Sequence, residues 1–134
     1  MTKIPTVNDY MATELTTFLA SDNVHSAVRK LLEKKLSGAP VVDQNGELIG
    51  VLSKKDCLQV VYNGSYHQDW GGNVSEYMNS EIETIESGTD IIKAADRFVQ
   101  SSFRRFPVLE NGHMIGQISR TDILRALYDQ WPAS

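Results

Sequence analysis

The sequence predicts an α/β (α+β) domain of two β-α-β-β-α units related by pseudo-two-fold symmetry, with their sheets packed together. Three observations carry this: an internal repeat, helical apolar periodicity at matched places in both copies, and an Asn-Gly pair between short apolar runs in each. Val7-Asn8-Asp9-Tyr10-Met11 recurs as Val74-Ser75-Glu76-Tyr77-Met78, 67 residues on. The same spacing joins Glu14 to Glu81, Thr17 to Thr84, Ala27 to Ala94 and Pro40-Val41 to Pro107-Val108. It then drops to 66, joining Gly46 to Gly112, Ile49-Gly50 to Ile115-Gly116, Ser53 to Ser119, Asp56 to Asp122 and Leu58 to Leu124. The lost residue falls where Asp43-Gln44-Asn45-Gly46 is matched by Glu110-Asn111-Gly112. Turns absorb such a change, whereas in a strand it would reverse every side chain.

Each copy is read in the same order. A Thr-rich extended piece comes first, Leu15 to Leu19 and Ile82 to Ile85. A helix follows, with apolar residues at helical spacing: Val24, Ala27, Val28, Leu31 and Leu32, then Ile91, Ala94, Ala95, Phe98 and Val99. Two apolar runs then flank Asn45-Gly46 or Asn111-Gly112, a hairpin signal because both residue types accept positive φ. A last helix closes each copy, Lys54 to Tyr62 and Arg120 to Tyr128. Residues 1–134 thus read as one domain, with repeats at 5–62 and 74–129. Between them Asn63 to Asn73 reads as an ordered surface loop, anchored by burial of Tyr66 and Trp70.

Composition narrows the function. The 134 residues are 41% hydrophobic and 22% charged, a globular balance. A net charge of −4 argues against general nucleic-acid binding, which rests on displaced phosphate counterions. No apolar run approaches the roughly 18 to 20 residues that cross a bilayer, and the first residues show no apolar stretch resembling a secretion signal. The only cysteine, Cys57, lies in an apolar-periodic segment and reads as a buried, inert thiol. A cytoplasmic location is the expectation.

The sharpest local pattern is Gly-x-x-Ser-x-x-Asp, where a strand gives way to a helix: Gly50, Ser53, Asp56 and Gly116, Ser119, Asp122. One reading is a capping box, in which the serine accepts an amide bond and the acid reaches back. The other is a ligand site, since a helix N-terminus suits a phosphate and a carboxylate accepts from ribose hydroxyls. Lys54 and Arg120 stand beside the serines, and Arg104-Arg105 form a second basic spot matched by Ser37-Gly38 in the first copy. The readings are compatible, and the second predicts two inequivalent sites. Catalysis finds little support. His25, His67 and His113 have no metal-ligand spacing, there is no phosphate-cradling glycine loop, and Glu14 and Glu81 are expected to bond the backbone.

Val-x-x-Tyr-Met, a helix, then Ala-Pro-Val-Val-Asp-x-x-Gly-x-Leu-Ile-Gly-Val-Leu-Ser-x-x-Asp resembles a cystathionine β-synthase (CBS) domain, and two in tandem resemble a Bateman module. The resemblance covers residues 5 to 129. It implies a non-enzymatic regulatory module that binds an adenosine compound (AMP, ADP, ATP or S-adenosylmethionine) in two clefts between the repeats. It carries ribose and phosphate contacts onto Ser53 and Asp56, and onto Ser119 and Asp122; Lys54, Arg120 and Thr121 beside them are further candidate ligand-binding residues. It carries adenine-framing backbone onto Gly38-Ala39 and Arg105-Phe106, with Arg104 alongside, and an early threonine onto Thr17 and Thr84. No cofactor or metal is implied. A homodimer packed through the helices, and a regulated partner protein, are the expected associations. The alternative is a constitutive interaction or dimerisation module with vestigial clefts.

Overall fold

The structure, a computed structural model, describes residues 3–67 and 71–132, the side chains of 66 and 67 excepted. Its elements are β1 (Phe18–Leu19), α1 (Val24–Lys34), β2 (Gly38–Val42), β3 (Leu48–Ser53), α2 (Lys54–His67), α3 (Val74–Tyr77), β4 (Ile85–Glu86), α4 (Ile91–Gln100), β5 (Arg105–Glu110), β6 (His113–Ser119) and α5 (Arg120–Asp129). They form two three-stranded sheets, ordered β1-β2-β3 and β4-β5-β6. In each, the short first strand is parallel to the second and the second antiparallel to the third. The β-α-β-β-α unit is therefore present twice.

The opening strands are shorter than the sequence suggests. Only Phe18–Leu19 and Ile85–Glu86 pair, against Val41–Val42 and Val108–Leu109. Pro40 and Pro107 sit one register position before that pairing begins. A proline has no amide to give a ladder, so the central strand tolerates it where its first neighbour is missing.

The chain divides into two compact units, Thr16–Ile82 and Met1–Leu15 with Glu83–Ser134. We call them the first-repeat and second-repeat units. The Val-x-x-Tyr-Met segment of each repeat thus folds into the unit built on the other. In the second-repeat unit Val7 N donates to Thr89 O at 2.8 Å, and Ala12 and Gln117 exchange backbone bonds of 2.9 and 3.0 Å. In the first-repeat unit Val74 N donates to Asp22 O at 2.9 Å, and Val51 and Asn79 exchange two bonds of 2.9 Å. Each segment covers the outer edge of β6 or β3, which would otherwise present unpaired backbone groups.

Each unit has its own core. Phe18, Ala27, Leu31, Ala39, Val41, Leu52, Cys57 and Val74 make one, and Val7, Ile85, Ile91, Ala94, Phe98, Phe106, Val108, Ile118, Ile123 and Ala126 the other. The apolar stripes on α1 and α4 are only partly core. Leu32 and Val99 are exposed, because eight residues at about 100° each place them about 80° round the helix from Val24 and Ile91. Helix starts follow side-chain capping: Asn23 Oδ1 accepts from His25 N at 2.8 Å, and Asp90 Oδ1 from Lys93 N at 2.8 Å.

The two hairpins differ by the residue that the repeat loses. In the second, Asn111 (φ 53°) and Gly112 (φ 82°) form a two-residue turn with both residues left-handed. In the first only Gly46 is left-handed, at φ 82°, closing a longer turn in which Gly46 N donates to Asp43 O at 3.0 Å.

Two expectations are corrected. The connector does not begin at Asn63, since α2 continues to His67. The anchoring roles given to Tyr66 and Trp70 lie outside the described side chains. Glu14 and Glu81 are exposed, and neither carboxylate is hydrogen-bonded among the described residues. No helix of the described residues is long and apolar enough to cross a membrane, and among them no cluster of ligating side chains could hold a metal.

Candidate functional site

In each unit the predicted residues gather at one end of the sheet. Threonine 17 or 84 stands just before the parallel first strand, Gly38 or Arg105 opens the central strand, and Ser53 or Ser119 ends the third. Register makes Gly38 the partner of Ser53, and Arg105 the partner of Ser119. The helix N-terminus that follows the serine completes the group.

Both serine–aspartate pairs are capping boxes. Ser53 N donates to Asp56 Oδ2 at 2.8 Å, and Asp56 N donates to Ser53 Oγ at 3.1 Å. The second copy has the same bonds at 2.9 and 3.1 Å between Ser119 and Asp122. Ser53 adds a hydroxyl bond to Asp56 Oδ2 at 2.8 Å. In every case the acid uses Oδ2. Oδ1 of Asp56 has no partner among the described residues, and Oδ1 of Asp122 meets only Arg125 Nη1 at 3.5 Å. Capping thus leaves one carboxylate oxygen of each aspartate outside the box.

The glycine of the motif has a different cause. A Cβ at Gly50 would lie 2.7 Å from Met78 Sδ, and one at Gly116 would lie 2.7 Å from Met11 Sδ and 2.8 Å from Ala12 O. The close approach of the Tyr-Met segment requires glycine there, so the two most conspicuous repeated motifs are in contact. The sequence alone did not reveal that pairing.

The sites differ in charge. Arg105 Nε is buried without a hydrogen-bond partner among the described residues. Such an orphan is rare, because an unpaired buried donor is costly. Gly38 stands at the same register position in the first-repeat unit, where a Cβ would make a tight contact, 3.0 Å from Leu52 O. Arg104 is exposed, and its carbonyl accepts from Arg120 N at 3.0 Å. Arg120, expected to face an anion, is instead turned onto the preceding loop, with Nε donating to Phe103 O at 2.9 Å and Nη2 to Ser101 O at 3.5 Å. Lys54 and Lys55 are exposed, and Lys54 N donates to Ser37 O at 2.8 Å. Ala39 and Phe106 are buried.

Sequence reading missed Arg97. From α4 its Nη1 donates to the Thr84 carbonyl at 2.6 Å and Nη2 pairs with Glu83 at 3.4 Å. Its guanidinium carbon lies 4.4 Å from the centre of the Phe106 ring. The only signal was a cation seven residues before an arginine pair, which is too common to interpret.

Cys57 fits the inert reading. It is buried, and that burial, with a smaller push from Asp56, raises its thiol to about 11.

Two apolar depressions lie on helix faces, the first reaching Thr121 at the start of α5. One of roughly 460 Å³ is lined by Leu124, Leu127, Tyr128 and Trp131 beside Thr121 and Arg125. The other, roughly 360 Å³, is lined by Val24, Val28, Leu32, Val60 and Val61 beside His25 and Arg29. Such faces suit a protein surface better than a nucleotide.

A family model described as CBS domain matches the chain twice, over residues 7–63 and 74–129. The crystal structure of CBSX2 in complex with AMP is similar with a TM-score of 0.82 at 30% identity, covering 94% of this chain and 98% of that one. CBSX2 is a chloroplastic CBS domain-containing protein of Arabidopsis thaliana, and its full sequence is 28% identical over 149 aligned residues, 90% of this chain and 63% of that protein. Protein MJ1225 of Methanocaldococcus jannaschii is 24% identical over 125 residues, 93% of this chain and 44% of that protein. The chain therefore spans about half the length of these curated relatives.

Proposed function

Because the chain belongs to the CBS domain family, as a tandem pair, we propose that it is a regulatory module binding an adenine nucleotide at the two sheet ends. The observation that carries this is the unpartnered Nε of Arg105, paired in register with Ser119 at the start of α5. An anion completes that donor once the Arg105 side chain turns outward from its buried position. The α5 N-terminus adds the Thr121 amide, left over between Arg120 N, which is bound to Arg104 O, and Asp122 N, which is bound to Ser119 Oγ. Asp122 Oδ1 accepts from a ribose hydroxyl, while the backbone at Arg105-Phe106 and Thr84 frames the base. The likeness to CBSX2, whose structure holds AMP, supports the ligand class.

In the first-repeat unit Thr17, Gly38-Ala39, Ser53 and Asp56 take the same parts. Only Lys54 and Lys55 supply charge there, so that site favours ligands with less phosphate. Arg104 and Arg120 act in the second site after Arg120 exchanges its loop carbonyls for a phosphate. Residues 1–134 form one module, with repeats at 5–62 and 74–129. Neither site has a catalytic set, so the module signals by binding: the ligand favours one conformation or assembly, and a cytoplasmic partner reads it.

The assembly we propose is a homodimer. Leu32 and Leu58 are each 69% exposed, and their repeat equivalents Val99 and Leu124 are 80% and 69% exposed. The same surplus of apolar surface on both repeats matches a symmetric interface between two copies. Light scattering should give a dimer, and Leu58→Glu with Leu124→Glu should give a monomer. A wild-type monomer at high micromolar concentration would exclude this.

Calorimetric titration tests the site. Asp122→Ala should weaken adenosine and AMP alike, whereas Arg105→Ala should weaken AMP about tenfold more than adenosine, since one charge-assisted bond is lost. If the motif only caps its helix, Asp122→Ala loses stability and neither variant loses affinity.

A further inference from the structure

Arg97 joins two parts of the second-repeat site. Its Nη1–Thr84 carbonyl bond of 2.6 Å fixes the backbone just before β4, and its guanidinium stacks 4.4 Å from the Phe106 ring at the start of β5. Phe106 is wholly buried and also held by Phe98 and Phe103, with ring centres 4.7 and 5.5 Å away. A guanidinium can do both at once, because its donors lie in the plane that stacks. Glu83, 3.4 Å from Nη2, offsets its charge, so Arg97 is poorly suited to collecting phosphate. The first-repeat unit has no such brace. The equivalent position is Lys30, whose Nζ stands 6.0 Å from the Phe18 ring on β1, and Ala39 replaces Phe106.

We propose that Arg97 is a positioning residue for the nucleoside end of the second-repeat site, setting the spacing between Thr84 and the Arg105-Phe106 backbone. It acts through those residues and touches no ligand. The inference rests on the nucleotide reading of that site, and it makes the two sites differ at the base end as well as in charge.

The test is calorimetric titration of adenosine, AMP and inosine into the full chain and its Arg97→Met and Arg97→Lys variants, with folding checked by thermal melting. Arg97→Met should weaken adenosine and AMP by the same factor, about tenfold, as for a lost charged hydrogen bond. Its preference for adenosine over inosine should shrink. Arg97→Lys keeps a cation but not the fork, and should recover only part of the loss. It also serves if the methionine variant does not fold. A lower melting temperature with unchanged affinity and unchanged base preference would overturn the proposal. So would a loss confined to AMP, which would make Arg97 a phosphate contact. Wild-type protein that binds neither adenosine nor AMP would defeat the nucleotide reading and this inference with it, and the wild-type titration separates that outcome from the others.

Discussion

Adding a single methyl group at Gly50 or at Gly116 should have unequal effects, although the two glycines are repeat equivalents. At Gly50 the nearest atom is Met78 Sδ at 2.7 Å, the far end of a flexible side chain, and the nearest backbone atom is Asn79 O at 3.1 Å. At Gly116 the backbone itself intrudes, with Ala12 O at 2.8 Å beside Met11 Sδ at 2.7 Å. Ala12 cannot withdraw without loosening its two bonds to Gln117, of 2.9 and 3.0 Å. Overpacking costs about 1 to 3 kcal/mol and each strained hydrogen bond about 1, offset by up to about 1 from the stiffer unfolded chain. Gly116→Ala should therefore destabilise by about 2 to 4 kcal/mol and Gly50→Ala by about 1 to 2. Met78→Ala should partly rescue Gly50→Ala by removing the side-chain clash. Met11→Ala should rescue Gly116→Ala much less, because the carbonyl remains. Urea unfolding of the two singles and two doubles measures all four values. Equal losses at the two glycines, or full rescue at both, would refute the claim that the Tyr-Met backbone dictates the glycine.

Three further outcomes follow from the same geometry. Asn111→Ala should cost about 1 kcal/mol because its φ of 53° is left-handed, while Asn45→Ala, outside that region, should be nearly neutral in a urea titration. Cys57 should resist a thiol reagent at pH 8 until denaturant is added. Its thiol is raised to about 11 from an ordinary value near 9.0, so the unfolded chain loses that proton first and stability falls as pH rises from about 9 towards 11; Cys57→Ala should flatten that decline. Asp90→Ala should lower stability by about 1 kcal/mol by uncapping α4, without changing nucleotide affinity in titration.

The repeat made most of the fold legible, because a 67-residue spacing that breaks only in a turn fixes which elements correspond. Both hairpins, both helix pairs and the capping boxes appear where that reading puts them. What stayed hidden is non-local. Nothing in Val7 to Met11 shows that this segment packs on β6 of the other repeat, 105 residues beyond Met11 at Gly116. The extra turns of α2 were hidden for another reason. Asn63, Gly64 and Ser65 are turn-formers by local preference, yet the helix runs through them to His67.

The site divides along the same line. Residues fixed by a local motif, Ser53 with Asp56 and Ser119 with Asp122, were legible as capping boxes because a cap needs a serine and an acid three residues apart. Side-chain direction was not legible. Arg105 and Arg120 look interchangeable in the sequence, yet the strand register sends one against Ser119 with a buried, unpaired donor, while the other spends its donors on Phe103 and Ser101 carbonyls. An unpaired buried donor is retained only at a cost in stability, and a donor already satisfied must be released before it can serve a ligand. On the nucleotide reading proposed above, Arg105 is therefore the one whose unmet bond a ligand satisfies once its buried side chain turns outward, and Arg120 is the one whose engagement must also free the Ser101–Phe103 loop.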